Sequence, residues 1–408
     1  MRVLAVGGCG GMGRYAVKTL EAHNYCEDVV VADVNGVNAE KFADECGASV
    51  SWAQIDVSDE DSLKRAMADV DIVMNTAGPY YRYGVRVLKA CIESGCDYID
   101  INDDWEPTLE MLELHERAGA AEITAVIGMG ASPGLTNLLA VKAISELDSA
   151  EEIYTCWDMD SAKPETIGRE PSAALVHAIH QLTGHIRVFQ DGKYVDEKPV
   201  RQIKLDYPGL GSRAFWTIGH PESVTLPNYY SSLQTSLNVM TTSQLNIWGI
   251  RIIAWFVNAG LMSDRTAARL VERIEGPMDP GRTPEKMLQE VINAKPPVLP
   301  PLFALAKGKR NNEPASVAST IISAPAGGMG GSTGVPLAVG VSLLADGQIK
   351  NHGVFAPEGI FDPDTFLSRL AGLCSPVKAD INDLVVTTRS WEPESFKDIL
   401  SRTTGETL

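Results

Sequence analysis

Apolar and polar positions alternate along the first 130 residues in a way that predicts strands and helices in turn. Short apolar runs, typical of buried strands, are separated by stretches whose apolar residues recur every three or four positions, which is typical of amphipathic helices. The predicted strands are Arg2–Val6, Val29–Ala32, Ser49–Ile55, Val70–Met74, Cys96–Ile101 and Thr124–Ile127. The predicted helices are Arg14–Glu21, Asn38–Cys46, Asp61–Met67, Gly84–Ser94 and Pro107–Ala118. This alternation indicates parallel β/α units, so the predicted fold class is α/β with a doubly wound parallel sheet.

After about Glu151 the pattern changes, because strands, hairpins and helices no longer alternate regularly. A hairpin is predicted from Ile186–Phe189 and Lys193–Val195, which flank the turn Gln190-Asp191-Gly192. Further along, we expect a helix Val239–Met262 and a strand Thr320–Ser323 that returns to the first sheet. A glycine-rich turn Gly327–Gly334 then precedes a helix Val335–Leu344. This mixture indicates a second domain of the α+β type.

A glycine-rich turn joins the first predicted strand to the first predicted helix. Gly8-Cys9-Gly10-Gly11-Met12-Gly13 matches the pattern G-x-G-x-x-G, and Asp33 ends the second strand 20 residues after Gly13. In this pattern the first glycine permits a tight turn, the second leaves room for a pyrophosphate, and the third lets helix pack on strand. The phosphates then face the N–H groups of a helix N-terminus. Strand, turn, helix and acid occur in the right order, which predicts a dinucleotide-binding Rossmann domain; the alternative is such a turn without a ligand.

The residues after the second strand bear on the choice of cofactor. Asp33 can accept hydrogen bonds from both hydroxyls of an adenine ribose. Val34 and Asn35 follow it, so no adjacent arginine meets a 2′-phosphate, which Asp33 itself would repel. The sequence therefore favours NAD over NADP, although Lys41 keeps NADP open. The alternative for Asp33 is a helix cap without a ligand.

Composition and charge limit the number of domains, the kinds of binding partner and the cellular location that we expect. A chain of 408 residues exceeds one typical core, so two domains are expected. The net charge of −18 would repel nucleic acid and an anionic membrane surface, so neither is an expected partner. The 7 cysteines form no C-x-x-C pair, and the first strand begins almost at the initiator methionine, leaving no room for a signal peptide. We therefore expect free thiols and a cytoplasmic location.

Several short motifs stand out along the chain. They are Gly8–Gly13, Asn75-Thr76-Ala77-Gly78-Pro79-Tyr80, Tyr98-Ile99-Asp100, Gly130-Ala131-Ser132-Pro133-Gly134-Leu135-Thr136-Asn137, His220-Pro221-Glu222 and Gly334-Val335-Pro336-Leu337. With these motifs the chain resembles the saccharopine dehydrogenase (saccharopine reductase) family, and in turn the lysine 6-dehydrogenases and carboxynorspermidine dehydrogenases. One departure is that relatives often carry aspartate-proline-glycine where this chain has Ser132-Pro133-Gly134.

The resemblance implies a Rossmann domain interrupted by an α+β substrate and oligomerisation domain, and hence a homodimer. The expected segments are 1–130 for dinucleotide binding, 131–332 for substrate binding and dimerisation, and 333–408 as a C-terminal segment that returns to the Rossmann domain. Asp56 would accept a hydrogen bond from the adenine amino group, and Val57 would pack on the adenine ring. Asp56 could instead cap a turn. Thr76, Ala77, Gly78 and Pro79 would cross under the nicotinamide ribose.

The densest acidic cluster lies at the end of the fifth predicted strand and consists of four polar residues, Asp100, Asn102, Asp103 and Asp104. Ligands in doubly wound sheets sit beyond the carboxyl ends of the strands, which places this loop on the cofactor's side. Carboxylates so close raise one another's pKa, which suits proton transfer to or from a cationic amine. We therefore expect Asp103 first, and Asp100 second, as the acid–base group. The alternative is a solvated acidic loop that opens the next helix.

Other residues are candidates for holding a substrate. Tyr80, Asp104, Ser132 and Pro133 lie in the predicted strand-end loops, and Ser132 either caps the following helix or leaves free amides for a substrate carboxylate. Arg169 and Arg213 could hold a carboxylate bidentately, or could be structural. His177 and His180 lack a third ligand at metal spacing, so no metal is expected.

Together these residues predict an NAD(P)-dependent oxidoreductase that transfers hydride at a carbon–nitrogen bond of an amino-acid-like amine. A second possibility is reduction of a carbonyl or enoyl carbon, although no Tyr-x-x-x-Lys pair stands where a short-chain dehydrogenase needs one. A third is a redox sensor that binds NAD without turnover.

Overall fold

The computed structural model of the chain describes residues 1–161, 173–275 and 299–392, together with residues 394, 396 and 398. Contacts divide the chain into two compact units, Met1–Leu135 with Met329–Phe361, and Thr136–Gly328 with Asp362–Leu408. The expected segments 1–130, 131–332 and 333–408 therefore differ from the structure at the C-terminus. Residues 362–408 belong to the second unit, because strand Val385–Arg389 pairs with Glu313–Ile321 there.

The first unit is built on a sheet whose strands all pair in parallel. In the described residues its strands are β1 Arg2–Val6, β2 Asp28–Asp33, β3 Val50–Gln54, β4 Ile72–Asn75, β5 Asp97–Asp100, β6 Thr124–Val126 and β15 Gly353–Phe355. Their order is β15-β6-β5-β4-β1-β2-β3, so the direction of winding reverses between β1 and β4. This reversal is the switch point where doubly wound sheets bind ligands, and the predicted fold class is confirmed.

Helices pack on the sheet of the first unit because each carries an apolar face. They are α1 Gly13–Ala22, α2 Gly36–Asp44, α3 Glu60–Ala66, α4 Tyr80–Ser94, α5 Trp105–Leu112, α6 His115–Ala120 and α12 Gly328–Ala345, with a 3₁₀ turn at Pro357–Gly359. α12 is also long and apolar enough, among the described residues, to cross a bilayer, but 67% of it is buried inside the protein. A mostly buried helix of this kind is typical of a protein core.

The second unit contains a mixed sheet. Its described strands are β7 Ser149–Asp158, β8 Ile186–Gln190, β9 Lys193–Glu197, β10 Gln202–Tyr207, β11 Gly211–Thr217, β12 Thr235–Thr241, β13 Leu302–Arg310, β14 Glu313–Ile321 and β16 Val385–Arg389. The main path runs β10-β11-β12-β7-β13-β14-β16, with β8 beside β12 and β9 beside β8. The helices assigned to the chain between Leu135 and Leu384 outside the first unit are α7 Leu135–Ser145, α8 Ala173–Gln181, α9 Glu222–Tyr229, α10 Gln244–Asn258, α11 Asp264–Glu275, α13 Pro363–Ala371 and α14 Ile381–Leu384.

Three predicted elements of this region can be compared with the structure. The hairpin is confirmed as β8 and β9. The predicted helix Val239–Met262 is wrong at its start, because Val239 lies in the central strand β12 and the helix begins after the cap Ser243. The short apolar run Val239-Met240 at the end of this strand fits a strand as well as a helix, so periodicity alone does not separate the two. The predicted strand Thr320–Ser323 overlaps the end of β14, which lies in the mixed sheet and not in the first sheet.

Candidate functional site

The glycine turn follows β1 and leads into α1. Gly7 has a φ of +72°, a left-handed conformation that glycine tolerates best. Its N–H donates to the Ala32 carbonyl at 2.7 Å, and the Gly10 N–H donates to the Gly7 carbonyl at 2.9 Å. Met12, the N-cap of α1, supplies no side-chain cap. The N–H groups of Arg14 and Tyr15, which a capping side chain would otherwise bind, donate to the carbonyls of Gly10 and Met12 at 3.1 Å. The positive end of the α1 dipole still favours a negatively charged ligand in front of this turn.

The glycines of this turn differ in what an added side chain would meet. A Cβ at Gly13 would lie 2.5 Å from the Gly7 carbonyl oxygen and 2.7 Å from Thr76 Oγ1. A Cβ at Gly8 would lie 2.8 Å from the Ala5 carbonyl oxygen. At Gly10 the nearest atom is the Gly7 oxygen at 3.1 Å. The space beside Gly10 fits the pyrophosphate of NAD(P), as the predicted cradle requires.

A second glycine-rich segment supports the turn and was not foreseen as part of the site. The predicted turn Gly327–Gly334 is wrong, because α12 already begins at Gly328. A Cβ at Gly330 would lie 2.8 Å from the Gly11 carbonyl oxygen, and a Cβ at Gly334 would collide with the Met12 carbonyl. The signal was available, since Gly330 and Gly334 are four residues apart and share one helix face.

Asp33 ends β2 and accepts two hydrogen bonds within the unit. Cys9 Sγ donates to Oδ2 at 3.2 Å, and the Asn35 N–H donates to Oδ1 at 2.9 Å. Burial and the charge of Asp33 raise the pKa of the Cys9 thiol to about 12, so the thiol keeps its proton. The carboxylate oxygens retain lone pairs for ribose hydroxyls. Asn35, not Asp33, caps α2 by accepting from the Asn38 N–H, and Val34 is exposed.

Asp56 follows β3 in an exposed turn. It accepts from the Ser58 hydroxyl at 2.7 Å and from the Ser58 N–H at 2.8 Å, and these bonds lower the pKa of the Asp56 carboxyl. This is the turn-capping arrangement that the sequence left open. Contact of Asp56 and of the half-buried Val57 with an adenine ring stays a prediction.

The segment after β4 lies at the switch point of the sheet. The Thr76 N–H and Oγ1 both donate to the Val6 carbonyl, at 2.8 Å and 3.0 Å, which ties the end of β4 to the end of β1. The Ala77 N–H donates to Asn75 Oδ1 at 3.1 Å. Gly78 and Pro79 are half-buried, and Pro79 is the N-cap of α4. The predicted cofactor residues from the turn to Pro79 thus belong to one unit.

A buried polar chain joins the carboxyl ends of β4, β5 and β6. Asn75 Nδ2 donates to the Tyr98 hydroxyl at 3.1 Å, and this hydroxyl donates to Asp100 Oδ2 at 2.6 Å. Asp100 Oδ1 accepts from the N–H groups of Asn102 at 3.0 Å and Gly128 at 2.7 Å. The Asn75 side chain and the Gly128 N–H were not singled out from the sequence for this role, because the bonds from Asn75 to Tyr98 and from Gly128 to Asp100 join distant segments of the chain. These bonds make Asp100 a positioning residue for the strand-end loops.

The acidic group after β5 is largely buried rather than solvated. Asp100 and Asn102 are fully buried and Asp104 is 1% exposed, which argues against the solvated-loop alternative. Burial raises the pKa of Asp100 to about 6, although three hydrogen bonds lower it, and the charge of the half-buried Asp103 raises it further. Asp104 Oδ2 accepts from the Tyr81 N–H in the first turn of α4 at 3.3 Å. Catalysis by Asp103 or Asp100 stays a prediction.

The remaining first-unit candidates lie near these strand ends, at the start of α4 or in the turn after β6. Tyr80 is buried, and its hydroxyl donates to the Asn75 carbonyl at 3.0 Å. The Gly130 N–H donates to the Pro133 carbonyl at 2.9 Å, closing a turn that carries the half-buried Ser132. Substrate contact by Tyr80, Asp104, Ser132 or Pro133 stays a prediction.

In the second unit, Arg213 lies on β11 and donates to the Ser212 carbonyl at 2.9 Å, and Arg169 lies outside the described residues. The motif that begins at His220 forms a buried polar group. Thr136 Oγ1 donates to Glu222 Oε1 at 2.6 Å, and His220 Nδ1 lies 3.4 Å from Glu222 Oε2. Substrate binding by Arg213 or Arg169 stays a prediction.

Comparison with known proteins gives consistent results over nearly the whole chain. The sequence model of the saccharopine dehydrogenase NADP binding domain matches residues 3–126, and that of the saccharopine dehydrogenase C-terminal domain matches residues 130–373. Carboxyaminopropylagmatine dehydrogenase of Synechocystis sp. is 22% identical over 417 residues, covering 94% of this chain and 98% of that protein.

A second relative and one solved structure point to the same family. A probable mitochondrial saccharopine dehydrogenase-like oxidoreductase of Arabidopsis thaliana is 35% identical over 135 residues, covering 31% of this chain and 30% of that protein. The apo structure of saccharopine dehydrogenase (L-Glu forming) from Saccharomyces cerevisiae covers 95% of this chain and 99% of that one, with a TM-score of 0.59 and 18% identity, and so shares the fold. The chain belongs to the saccharopine dehydrogenase family of NAD(P)-dependent oxidoreductases.

Proposed function

We propose that the protein transfers hydride between NAD(P) and the carbon of a C–N bond in a small amine or amino-acid substrate. The observation that carries this proposal is the acidic group Asp100, Asp103 and Asp104 after β5, next to β4 at the switch point. Negative charge there attracts an ammonium or iminium group, and a half-buried carboxylate can hold or release its proton. The dinucleotide supplies the hydride chemistry; the chain binds, orients and excludes water.

The test of the reaction follows reduced-cofactor absorbance with a panel of amines, amino acids and 2-oxo acids. We expect turnover with an amine or amino acid, and a loss of roughly 10²-fold or more in kcat for Asp103→Asn with NAD affinity nearly unchanged. Asp44→Asn, which alters an exposed acid of α2, is the matched control. Full turnover of Asp103→Asn would contradict the acid–base role. Turnover confined to carbonyl or enoyl substrates, or binding without turnover, would contradict the reaction.

We also propose that NAD is preferred over NADP. Asp33 lies at the end of β2 beside exposed Val34, and a 2′-phosphate next to that carboxylate would be repelled at close range. Titration of the protein with both cofactors at equal concentration tests this choice, and tighter binding of NADP would contradict it.

For partners and location, we propose a homodimer in the cytoplasm with no nucleic-acid or membrane partner. The net charge of −18 supports the exclusion of anionic polymers and anionic bilayers. Fractionation of cells that express the tagged protein tests the cytoplasmic location. The mass of the particle in solution tests the homodimer.

A further inference from the structure

Helix α10 is apolar on two faces, and among the described residues only one of these faces packs into the protein. On the inner side Ile247 and Ile250 join a core with Trp216 and Met240, while Ile253 and Val257 pack against a second cluster beside α11. On the outer side large apolar residues are exposed, with fractions from 37% for Phe256 to 80% for Leu245. They are Leu245, Trp248, Ile252, Trp255 and Phe256.

These outer residues, which we call the α10 stripe, recur at helical spacing along the whole helix. Gly249 lies among them, and a Cβ built there meets nothing within 4 Å. The stripe therefore has a shallow hole over Gly249 with projecting side chains on each side. Leu261, just beyond the helix, extends the patch and is 68% exposed.

The helix that carries the stripe is anchored to the second unit at its N-terminus. Ser243 caps it by accepting from the Asn246 N–H at 3.2 Å. Asn246 Nδ2 donates to Asp160 Oδ1 at 2.7 Å, and the Thr242 hydroxyl donates to the same oxygen at 2.9 Å. A face held in this way needs little ordering on binding, which lowers the cost of association.

We propose that the α10 stripe is the contact between two copies of this chain, formed by antiparallel pairing of α10 about a two-fold axis. In that arrangement Ile252 of each copy enters the hole over Gly249 of the other, and Leu245 of each copy meets Phe256 of the other. Each contact occurs twice, as a two-fold interface requires. This surface rests on the homodimer proposed above and not on the proposed reaction.

The exposed area is sufficient for such a contact. Since a fully buried aromatic side chain contributes roughly 150–250 Å², the stripe and Leu261 offer roughly 700 Å² per chain. Two chains would then bury about 1,400 Å², within the range of about 1,200–2,000 Å² for stable interfaces.

Charge also favours a second copy over a lipid surface. Between Gln244 and Leu261 the one charged residue is Arg251, which donates to the Val200 carbonyl at 3.3 Å, so this patch adds no carboxylate repulsion between two acidic chains. Helices that lie in a membrane interface present a lysine- and arginine-rich polar face opposite the apolar one. The opposite face of α10 is instead packed into the protein core.

The first experiment measures particle mass by sedimentation for the full chain and for Ile252→Glu, with Val377→Glu, an exposed apolar site elsewhere, as the matched control. We expect a dimer for the wild type and for Val377→Glu. For Ile252→Glu the dissociation constant should rise at least about 100-fold with an unchanged circular dichroism spectrum, because the charge enters the interface twice.

The second experiment joins Leu245→Cys and Phe256→Cys in one chain. These positions are roughly 16 Å apart along the helix, too far for a bond within it, so a disulfide-linked dimer under oxidation supports the antiparallel pairing. Each single variant serves as a control for the native thiols.

Two results overturn the proposal, and they differ in what else they affect. A monomeric wild type overturns both the homodimer and its surface, and flotation of that monomer with phosphatidylcholine vesicles would assign the stripe to lipid instead. A dimeric Ile252→Glu variant overturns the surface alone. The cofactor-absorbance assay decides the reaction separately, since the stripe includes none of its residues.

Discussion

Gly10 and Gly13 lie three residues apart in the turn before and at the start of α1, and each position requires glycine for a different reason. A side chain at Gly13 would press on the Gly7 carbonyl and on Thr76, so this glycine serves the packing of the helix against the strands. A side chain at Gly10 would meet only the Gly7 carbonyl oxygen, 3.1 Å from its Cβ, and would otherwise extend into space that the described residues do not fill. One glycine is therefore needed for folding and the other for the ligand.

Gly10→Val should abolish NAD binding in a protein that unfolds at nearly the wild-type temperature, because the new side chain takes the place of the pyrophosphate. Gly13→Ala should instead lower the unfolding temperature, because its Cβ would lie 2.5 Å from the Gly7 oxygen. Calorimetric titration with NAD and thermal unfolding measure the two effects. Normal NAD binding by folded Gly10→Val would contradict the placement of the phosphates.

Asp100 should make stability depend on pH in a direction opposite to that of most carboxylates. Burial raises its pKa from 3.8 to about 6, so the folded protein binds this proton more tightly than the unfolded chain. The stabilisation is present below about pH 4 and is lost as pH rises through 6, at about 3 kcal/mol for a two-unit shift.

Urea unfolding from pH 4 to 7 measures this dependence as the wild-type free energy of unfolding minus that of Asp100→Asn. The difference should fall as pH rises. Asp56→Asn is the control, because hydrogen bonds from Ser58 lower the pKa of the Asp56 carboxyl below 3.8, so its stabilisation is lost only below this range and the difference for Asp56 should stay nearly constant from pH 4 to 7. A difference for Asp100 that does not change across this range would contradict the raised pKa.

Local residue chemistry could be predicted from the sequence where spacing alone defines it. The glycines of the turn and the position of Asp33 at the end of β2 follow from a strand, a turn and a helix that are contiguous. The bond from Cys9 to Asp33 and the chain from Asn75 through Tyr98 to Asp100 could not be predicted. Tyr98 and Asp100 share a face of β5, but Asn75 comes from β4 and Cys9 from the turn after β1, and no local pattern encodes which of these distant side chains meet.

At the scale of elements, α12 shows how a glycine-rich stretch can be helical when tertiary packing requires it. Each glycine in a helix interior lowers helix stability by about 1 kcal/mol relative to alanine, so the sequence of this stretch predicts a turn. In the structure Gly330 and Gly334 let α12 approach the carbonyls of Gly11 and Met12. The cofactor turn is therefore shaped by a helix more than 300 residues away in the chain.

Gly334→Ala should weaken NAD binding as well as stability, because its Cβ would collide with the Met12 carbonyl and displace the start of α1. Gly340→Ala on the same helix is the matched control. Its Cβ would meet Ile99 Cδ1 at 2.6 Å, a side-chain end away from the turn, so stability should fall while NAD affinity is retained. Equal loss of NAD affinity in both variants would contradict the supporting role of α12.

At the scale of the whole molecule, the alternation of strands and helices predicted the first unit and its class, and the change of pattern near Glu151 predicted a second one. The boundary between the two units was harder to predict near the C-terminus. β15 joins the parallel sheet beside β6, whereas β16 joins the mixed sheet beside β14, within 40 residues of chain. A strand's sequence indicates that it will pair, but its partner depends on which sheet edge is open.

The two units should respond differently to cofactor. Every predicted cofactor residue, from Gly8 to Pro79, belongs to the first unit. A ligand present at 100 times its Kd raises the free energy of unfolding of the unit that binds it by about 2.7 kcal/mol. Amide hydrogen exchange with saturating NAD should therefore slow in β1, β4 and α1, while β10 and β11 of the second unit keep their rates. Gly10→Val should show no slowing in either unit, and NAD-dependent slowing of the same size in β10 and β11 would contradict a site confined to the first unit.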